Sequence, residues 1–197
     1  DALDRLHTTA SAHHRVMVVE VMGRDTGWVA LVGGLAGGAD LIVIPEFEVT
    51  RREVVGHLSR GRGDGKLVSI IVVAEGAHIP ELEDDAGGAK ETDAFGHVQL
   101  ARRGIGDALA RRVESETGFE TRVTVLGHLQ RGGSRTRRDR IWATRGGGRA
   151  AELSAEGKSG VIPIRRNGDV EVVPLADVVK ETRRVPKELY ELSRVFE

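Results

Sequence analysis

Residues 16–38 read VMVVEVMGRDTGWVALVGGLAGG, and LIVIP follows at 41–45. VMVVEVM at 16–22 is short, apolar and rich in β-branched residues, the composition of a strand buried on both faces. Residues 26–37 take the pattern of a helix. Thr26 is read as its cap, Ala30, Gly33, Gly34 and Ala36 as close-packing positions, and Gly37-Gly38 as its stop. LIVIP is a second strand, ended by Pro45. A strand, a helix and a strand in this short compass make a crossover unit of a parallel sheet.

The same alternation continues outward. Residues 1–13 read as the end of an exposed helix, and Thr50 to Arg60 as a capped helix followed by a loop at 61–65. LVSIIVVA at 67–74 is a third strand, and 78–92 a surface loop or insertion with Pro80, acidic residues and Gly87-Gly88. An amphipathic helix is expected over 93–117, with Phe95, Val98, Leu100, Ile105, Leu109 and Val113 near one stripe and Gly118 closing it. RVTVLG at 122–127 is a fourth strand. A helix near 136–155, strands near 160–164 and 169–173, and a helix over 186–195 opened by Pro186 complete the pass. The expected fold is α/β, a mostly parallel sheet with helices on both faces in Rossmann-like layers.

Composition narrows the function classes. The 197 residues suit one large domain, or one domain with an appendage. Hydrophobic residues at 40% and charged residues at 30% are the balance of a soluble globular chain. A net charge of -1 provides no bulk field towards nucleic acid or an anionic membrane. No apolar run reaches the roughly 18–20 residues that span a bilayer, and no basic-plus-apolar leader opens the chain. Cysteine is absent, which fits a reducing compartment and a cytoplasmic setting. The chain starts at Asp1, directly in a polar helical stretch, and reads as part of something longer.

Ligands of open parallel sheets bind beyond the carboxyl ends of the strands. The first strand ends in Met22-Gly23-Arg24, the third in Ala74-Glu75-Gly76, and the fourth in Gly127-His128-Leu129-Gln130-Arg131-Gly132-Gly133. Arginine is a planar fork suited to phosphate, a carboxylate accepts from sugar hydroxyls, and glycine lets backbone approach a ligand. Singly, each of these residues is as well read as a solvated charge, an ion-pair partner or a structural histidine. Jointly, they describe a site for a phosphorylated, hydroxyl-rich small molecule.

HHRVMVVEVMGRDTGW at 13–28 and TRVTVLGHLQRGGS at 121–134 closely resemble two signature segments of the 6-phosphofructokinase family. IPE at 44–46, IIVVAEGA at 70–77 and VPKELYELSRVF at 185–196 resemble it too, in order, so the likeness covers nearly the whole chain. The Gly-Trp after MGR and the insertion near 78–92 resemble the actinobacterial-type branch, which includes ATP- and pyrophosphate-using members. The resemblance implies phosphoryl transfer from ATP or pyrophosphate to the 1-hydroxyl of fructose 6-phosphate, a glycolytic step, by a homotetramer. It implies that Met22 and Gly23 line the sugar pocket. Arg24 would stabilise charge on the transferred group, and Glu75 would bind fructose hydroxyls. His128 and Arg131 would grip the 6-phosphate. Arg15 and Arg122 would reach into a neighbouring subunit's site, so that active sites are shared in a homo-oligomer.

Residues 1–197 then correspond to the C-terminal, sugar-phosphate-binding part of such an enzyme. The family's donor-phosphate loop and aspartate-rich segment with the general base belong to an N-terminal part. Magnesium is expected with ligands mainly there, and the chain by itself is expected to be inactive. GRGDGKL at 61–67 lacks P-loop spacing and reads as a polar turn. A non-catalytic sugar-phosphate-binding relative, truncated, is the alternative reading. It draws on departures from the family: Arg135, Arg137 and Arg138 after GGS, and Gly146 to Gly148 inside a helix, where each glycine costs about 1 kcal/mol relative to alanine. Of the family's basic effector cluster only Lys66 is matched, with Asp64 and Val68 at other positions and Asp40 read as a turn residue. His7, His13 and His14 lack a carboxylate at ligand spacing, and the arginines of 135–140 read as a solvated helix face rather than a nucleic-acid surface.

Overall fold

A computed structural model describes residues 1–82 and 104–196. The chain forms two compact units, residues 1–131 with 184–197, and residues 132–183.

In the first unit, α1 (Ala2–His13), β1 (Val16–Val21), α2 (Trp28–Ala36), β2 (Leu41–Val43), α3 (Arg51–Gly63) and β3 (Ser69–Ala74) follow one another. A 3-10 turn (Pro80–Leu82), α4 (Ile105–Thr117) and β4 (Thr121–Val125) come next. The strands form a parallel sheet of order β2-β3-β1-β4. Every residue of β1, β2 and β3 is buried, as these largely apolar runs require. The face of β1 is resolved by parity. Val19 and Val21 share a cavity lining with α1 and α2, whereas Glu20 points the other way and accepts from the amide of Gly106 in α4 at 2.8 Å. Helices therefore cover both faces of the sheet, as expected.

Several boundaries move. Thr26 does not cap α2; the helix starts at Trp28 after Gly27, and Glu46 accepts from the Gly27 amide at 2.9 Å in its place. Thr26 instead closes the preceding turn, its amide and its hydroxyl donating to the Gly23 carbonyl at 3.1 and 3.2 Å. Thr50 does cap α3, in a reciprocal capping box with Glu53. That helix runs on to Gly63, through part of the expected loop. Of the long helix expected over 93–117, only Ile105–Thr117 is described; Ile105, Leu109 and Val113 are buried, and Phe95, Val98 and Leu100 lie outside the described residues. Gly118 ends α4 in the left-handed region. Lys66 pairs with Asp40 at 2.5 Å, and the other oxygen of Asp40 accepts from the Ile70 amide at 2.7 Å. Asp40 thus anchors the start of β3 and is more than a turn residue.

The second unit holds α5 (Arg137–Ala155), the antiparallel pair β5 (Val161–Arg166) and β6 (Asp169–Pro174), and α6 (Leu175–Val178). This hairpin departs from the parallel pattern. α5 is continuous through Gly146–Gly148, and nothing in the structure accounts for the three glycines there. Its start is set by a second capping box, Thr136 with Asp139. The guanidinium groups of Arg145 and Arg165 both lie over the Trp142 ring, each 4.7 Å from its centroid, which ties α5 to the hairpin. Arg135, Arg137 and Arg138 are exposed. The first unit is completed by α7 (Lys187–Ser193), preceded by Pro186, whose Tyr190 stacks on Phe47 and donates to the Ile42 carbonyl.

Candidate functional site

The register of the sheet brings the chemistry-bearing turns level. Val21 of β1 lies opposite Ala74 of β3, and Glu20 opposite Val125 of β4, so the residues that follow leave three adjacent strands at one edge. Met22-Gly23-Arg24, Glu75-Gly76 and the 3-10 turn Gly127–Arg131 are these segments.

Side chains knit the turns together. Glu75 Oε1 accepts from the amides of Gly23 at 3.1 Å and Arg24 at 3.0 Å, and the Glu75 amide donates to the Val21 carbonyl. From the other side, the Met22 amide donates to Gln130 Oε1 at 2.8 Å. One carboxylate and one amide side chain thus fix the turn after β1. Arg24 sits in the left-handed region at φ 52°, a conformation held only where the surroundings impose it. Close approach is equally imposed: a Cβ on Gly76 would lie 1.9 Å from the Arg24 carbonyl oxygen, and one on Gly23 would lie 2.4 Å from that of Thr26. Arg24, His128 and Arg131 are exposed around this edge, while Met22, Gly23 and Glu75 are half-buried. The edge therefore combines guanidinium groups, an imidazole and a carboxylate, a set suited to a phosphorylated polyhydroxy compound.

Arg15 and Arg122 are not in this cluster. They meet at the opposite end of the strands, where both pair with Glu120, Arg15 at 2.8 Å and Arg122 at 2.5 Å. β1 separates the two ends by about 20 Å at roughly 3.3 Å per residue. The structure thus groups the expected residues into two sets, Met22, Gly23, Arg24, Glu75, His128 and Arg131 at one edge and Arg15 with Arg122 at the other.

Sequence reasoning left four residues without a role. Gln130 and Glu46 lie inside segments already singled out, Glu46 accepting from Val185 at 3.1 Å as well as from Gly27. Glu120 lies just before β4. Glu20 carries the clearest signal, a carboxylate inside an otherwise apolar strand, and it is 4% exposed. Burial raises its pKa above the usual carboxylate range, opposed by the Gly106 amide and reinforced by the charges of Asp107 and Glu75. A folded-state pKa above the unfolded one means that ionisation disfavours the fold. Stability is therefore lost as the pH rises from about the unfolded value near 4.3 through the raised folded value. In Glu20→Gln, where the amide oxygen still accepts from Gly106, that part of the decline should vanish. Melting curves from pH 4 to 7 measure it; an equal decline in the variant would show that Glu20 ionisation does not oppose the fold, and a steeper one that the ionised carboxylate is favoured in it.

Among the described residues, no group of three or more His, Asp or Glu side chains is placed to hold a metal ion, and no helix is long and apolar enough to cross a membrane. The Phosphofructokinase family model matches residues 1–154. Over 196 residues the chain is 47% identical to a pyrophosphate–fructose 6-phosphate 1-phosphotransferase of Amycolatopsis mediterranei, covering 100% of this chain and 56% of that protein. It is 45% identical to ATP-dependent 6-phosphofructokinase 2 of Streptomyces coelicolor, covering 100% and 57%. The chain spans about half the length of these curated relatives. Among solved structures, phosphofructokinase from Saccharomyces cerevisiae superposes with a TM-score of 0.68 at 33% identity, over 91% of this chain and 22% of that one. A pyrophosphate-dependent phosphofructokinase from Marinobacter aquaeolei shares the fold with a TM-score of 0.74 at 23% identity, over 95% and 47%.

Proposed function

Because this chain belongs to the phosphofructokinase family, we propose that the edge formed by the ends of β1, β3 and β4 is the acceptor site of a 6-phosphofructokinase. The observation that carries this reading is the Glu75 carboxylate, which holds the Gly23 and Arg24 amides through one oxygen beside the turn bearing His128 and Arg131. In this reading His128 and Arg131 grip the 6-phosphate of fructose 6-phosphate. The second oxygen of Glu75 accepts from sugar hydroxyls, and Met22 and Gly23 line the ring. The 1-hydroxyl oxygen attacks the terminal phosphorus of the donor while the bond to the donor's leaving group breaks. Arg24 stabilises the charge on the transferring group. The hydroxyl proton passes to a base that none of these residues supplies.

Arg15 and Arg122 lie too far from their own subunit's edge to serve it, so they act on the 6-phosphate of a neighbouring subunit in a homo-oligomer, a tetramer by the family resemblance. Relatives named for ATP and for pyrophosphate match this chain almost equally, at 45% and 47%. The reading is therefore confined to the acceptor. Magnesium belongs to this reading with its ligands mainly in the family's N-terminal part, and no step is assigned to it. The setting is cytoplasmic and glycolytic.

Arg131→Ala in the full-length protein tests the assignment. Loss of a charge-assisted phosphate contact, about 1.5–3 kcal/mol, should raise KM for fructose 6-phosphate roughly 10- to 100-fold and leave kcat much less affected. Steady-state kinetics over a range of fructose 6-phosphate would read this directly. An unchanged KM would remove Arg131 from the site.

A further inference from the structure

Glu120 joins the two arginines that the sheet holds away from the acceptor edge. Its main-chain oxygen accepts from the Val16 amide at 3.0 Å, so its backbone is tied to the start of β1 just before β4 begins. Its Oε1 takes Nη2 of Arg15 at 2.8 Å and Nη2 of Arg122 at 2.5 Å, while Nη1 of Arg122 donates to the Thr121 carbonyl at 3.1 Å. The two arginines leave neighbouring strands at one level, since Val16 lies opposite Thr121 and Met17 opposite Arg122. Without a carboxylate between them, two like charges would face each other there and drive the side chains apart. With it, the cluster keeps one net positive charge. The arginine side chains are 30% and 52% exposed, so neither is closed off from solvent. Nε of Arg15 is buried and has no hydrogen-bond partner among the described residues.

We propose that Glu120 is a positioning residue for fructose 6-phosphate binding, one carboxylate that sets Arg15 and Arg122 together as a preformed phosphate clamp. The inference rests on the reading that these arginines serve a neighbouring subunit's site. Hydrogen bonding from Arg15, with the charge of Arg122 adding, lowers the Glu120 pKa, so the carboxylate is ionised throughout the neutral range. Glutamine keeps the shape and loses the charge that holds two cations to one oxygen. Aspartate keeps the charge on a shorter stem.

The test is steady-state kinetics of full-length Glu120→Gln, Glu120→Asp, Arg122→Ala and the double variant Arg122→Ala/Glu120→Gln. Glu120→Gln should raise KM for fructose 6-phosphate about tenfold with kcat within twofold. Glu120→Asp should recover most of that loss. The Glu120→Gln effect should largely disappear once Arg122 is already alanine, because coupled residues are not additive. Glu120 is 41% exposed, so none of these changes opens the core, and melting temperatures should stay near the parent's. If Arg122→Ala raises KM and Glu120→Gln does not, the positioning role fails while the shared-site reading stands. If Arg122→Ala leaves KM unchanged, the shared-site reading fails and the role of Glu120 falls with it. A Glu120→Gln effect confined to kcat or to the melting temperature would mark a purely structural carboxylate and overturn the proposal.

Discussion

Arg24→Ala in the full-length protein is expected to lower kcat for fructose 6-phosphate by about 10²–10³-fold, the usual loss when one donor to a developing transition-state charge is removed. KM should move by no more than about threefold, since in this reading Arg24 meets the transferring group and not the bound sugar phosphate. The expectation rests on how the residue is rooted. Its amide is held by Glu75 at 3.0 Å, and its backbone occupies the left-handed region at φ 52°. Its carbonyl oxygen passes so near Gly76 that no side chain fits between them. The backbone that carries this guanidinium is thus fixed before the substrate arrives, which favours the preorganisation that electrostatic stabilisation requires. Arg24→Lys should recover little, because an ammonium is a point charge and lacks the planar fork. A variant in which KM rises and kcat holds would place Arg24 in ground-state binding and refute the division of labour with Arg131.

The layers of this fold were legible because their signals are local and repetitive. VMVVEVM, LIVIP and LVSIIVVA are apolar apart from Glu20 and Ser69, and such runs suit strands covered on both faces. The edge that gathers Met22, Gly23, Arg24, Glu75, His128 and Arg131 could also be anticipated. In parallel strands the carboxyl ends fall on one side whatever the strand order. What could not be read was contact across distance in sequence. Gln130 reaches the Met22 amide over 108 positions, and Glu46 reaches Val185 over 139. No periodicity encodes such pairs.

Thr26 shows the same limit at short range. A threonine ahead of an apolar helix satisfies the capping pattern, yet here the hydroxyl closes the Gly23 turn and Glu46 supplies the carboxylate at the helix start. The hairpin of β5 and β6 was found as two strands but not as a separate antiparallel sheet, because alternation with helices was taken to extend past α5. Gly146–Gly148 weaken the local helix propensity of α5. They do not stop it, since the capping box at Thr136 and the Trp142 stack support the helix from outside that run.

The two sets of residues at opposite ends of β1 carry the central claim, that each chain serves two acceptor sites, one with its own edge and one with Arg15 and Arg122. Complementation between disabled subunits tests it most directly. Full-length Arg122→Ala and full-length Arg131→Ala should each be strongly impaired at low fructose 6-phosphate, since every site in either homo-oligomer carries one lesion. Mixed across a two-fold interface, an Arg122→Ala subunit keeps its own edge intact and receives whole arginines from its Arg131→Ala neighbour. The second site of that pair collects both lesions. With random pairing, half of the interfaces are hybrid and each restores one site of two, so the unfractionated mixture should return to about a quarter of the parent's activity and the purified hybrids to more. Co-expressed subunits carrying different tags, purified through both and assayed at low fructose 6-phosphate, measure this. The account predicts that the doubly purified hybrid is far more active than either variant alone. Hybrids that assemble and show only the average of the two variants would contradict it.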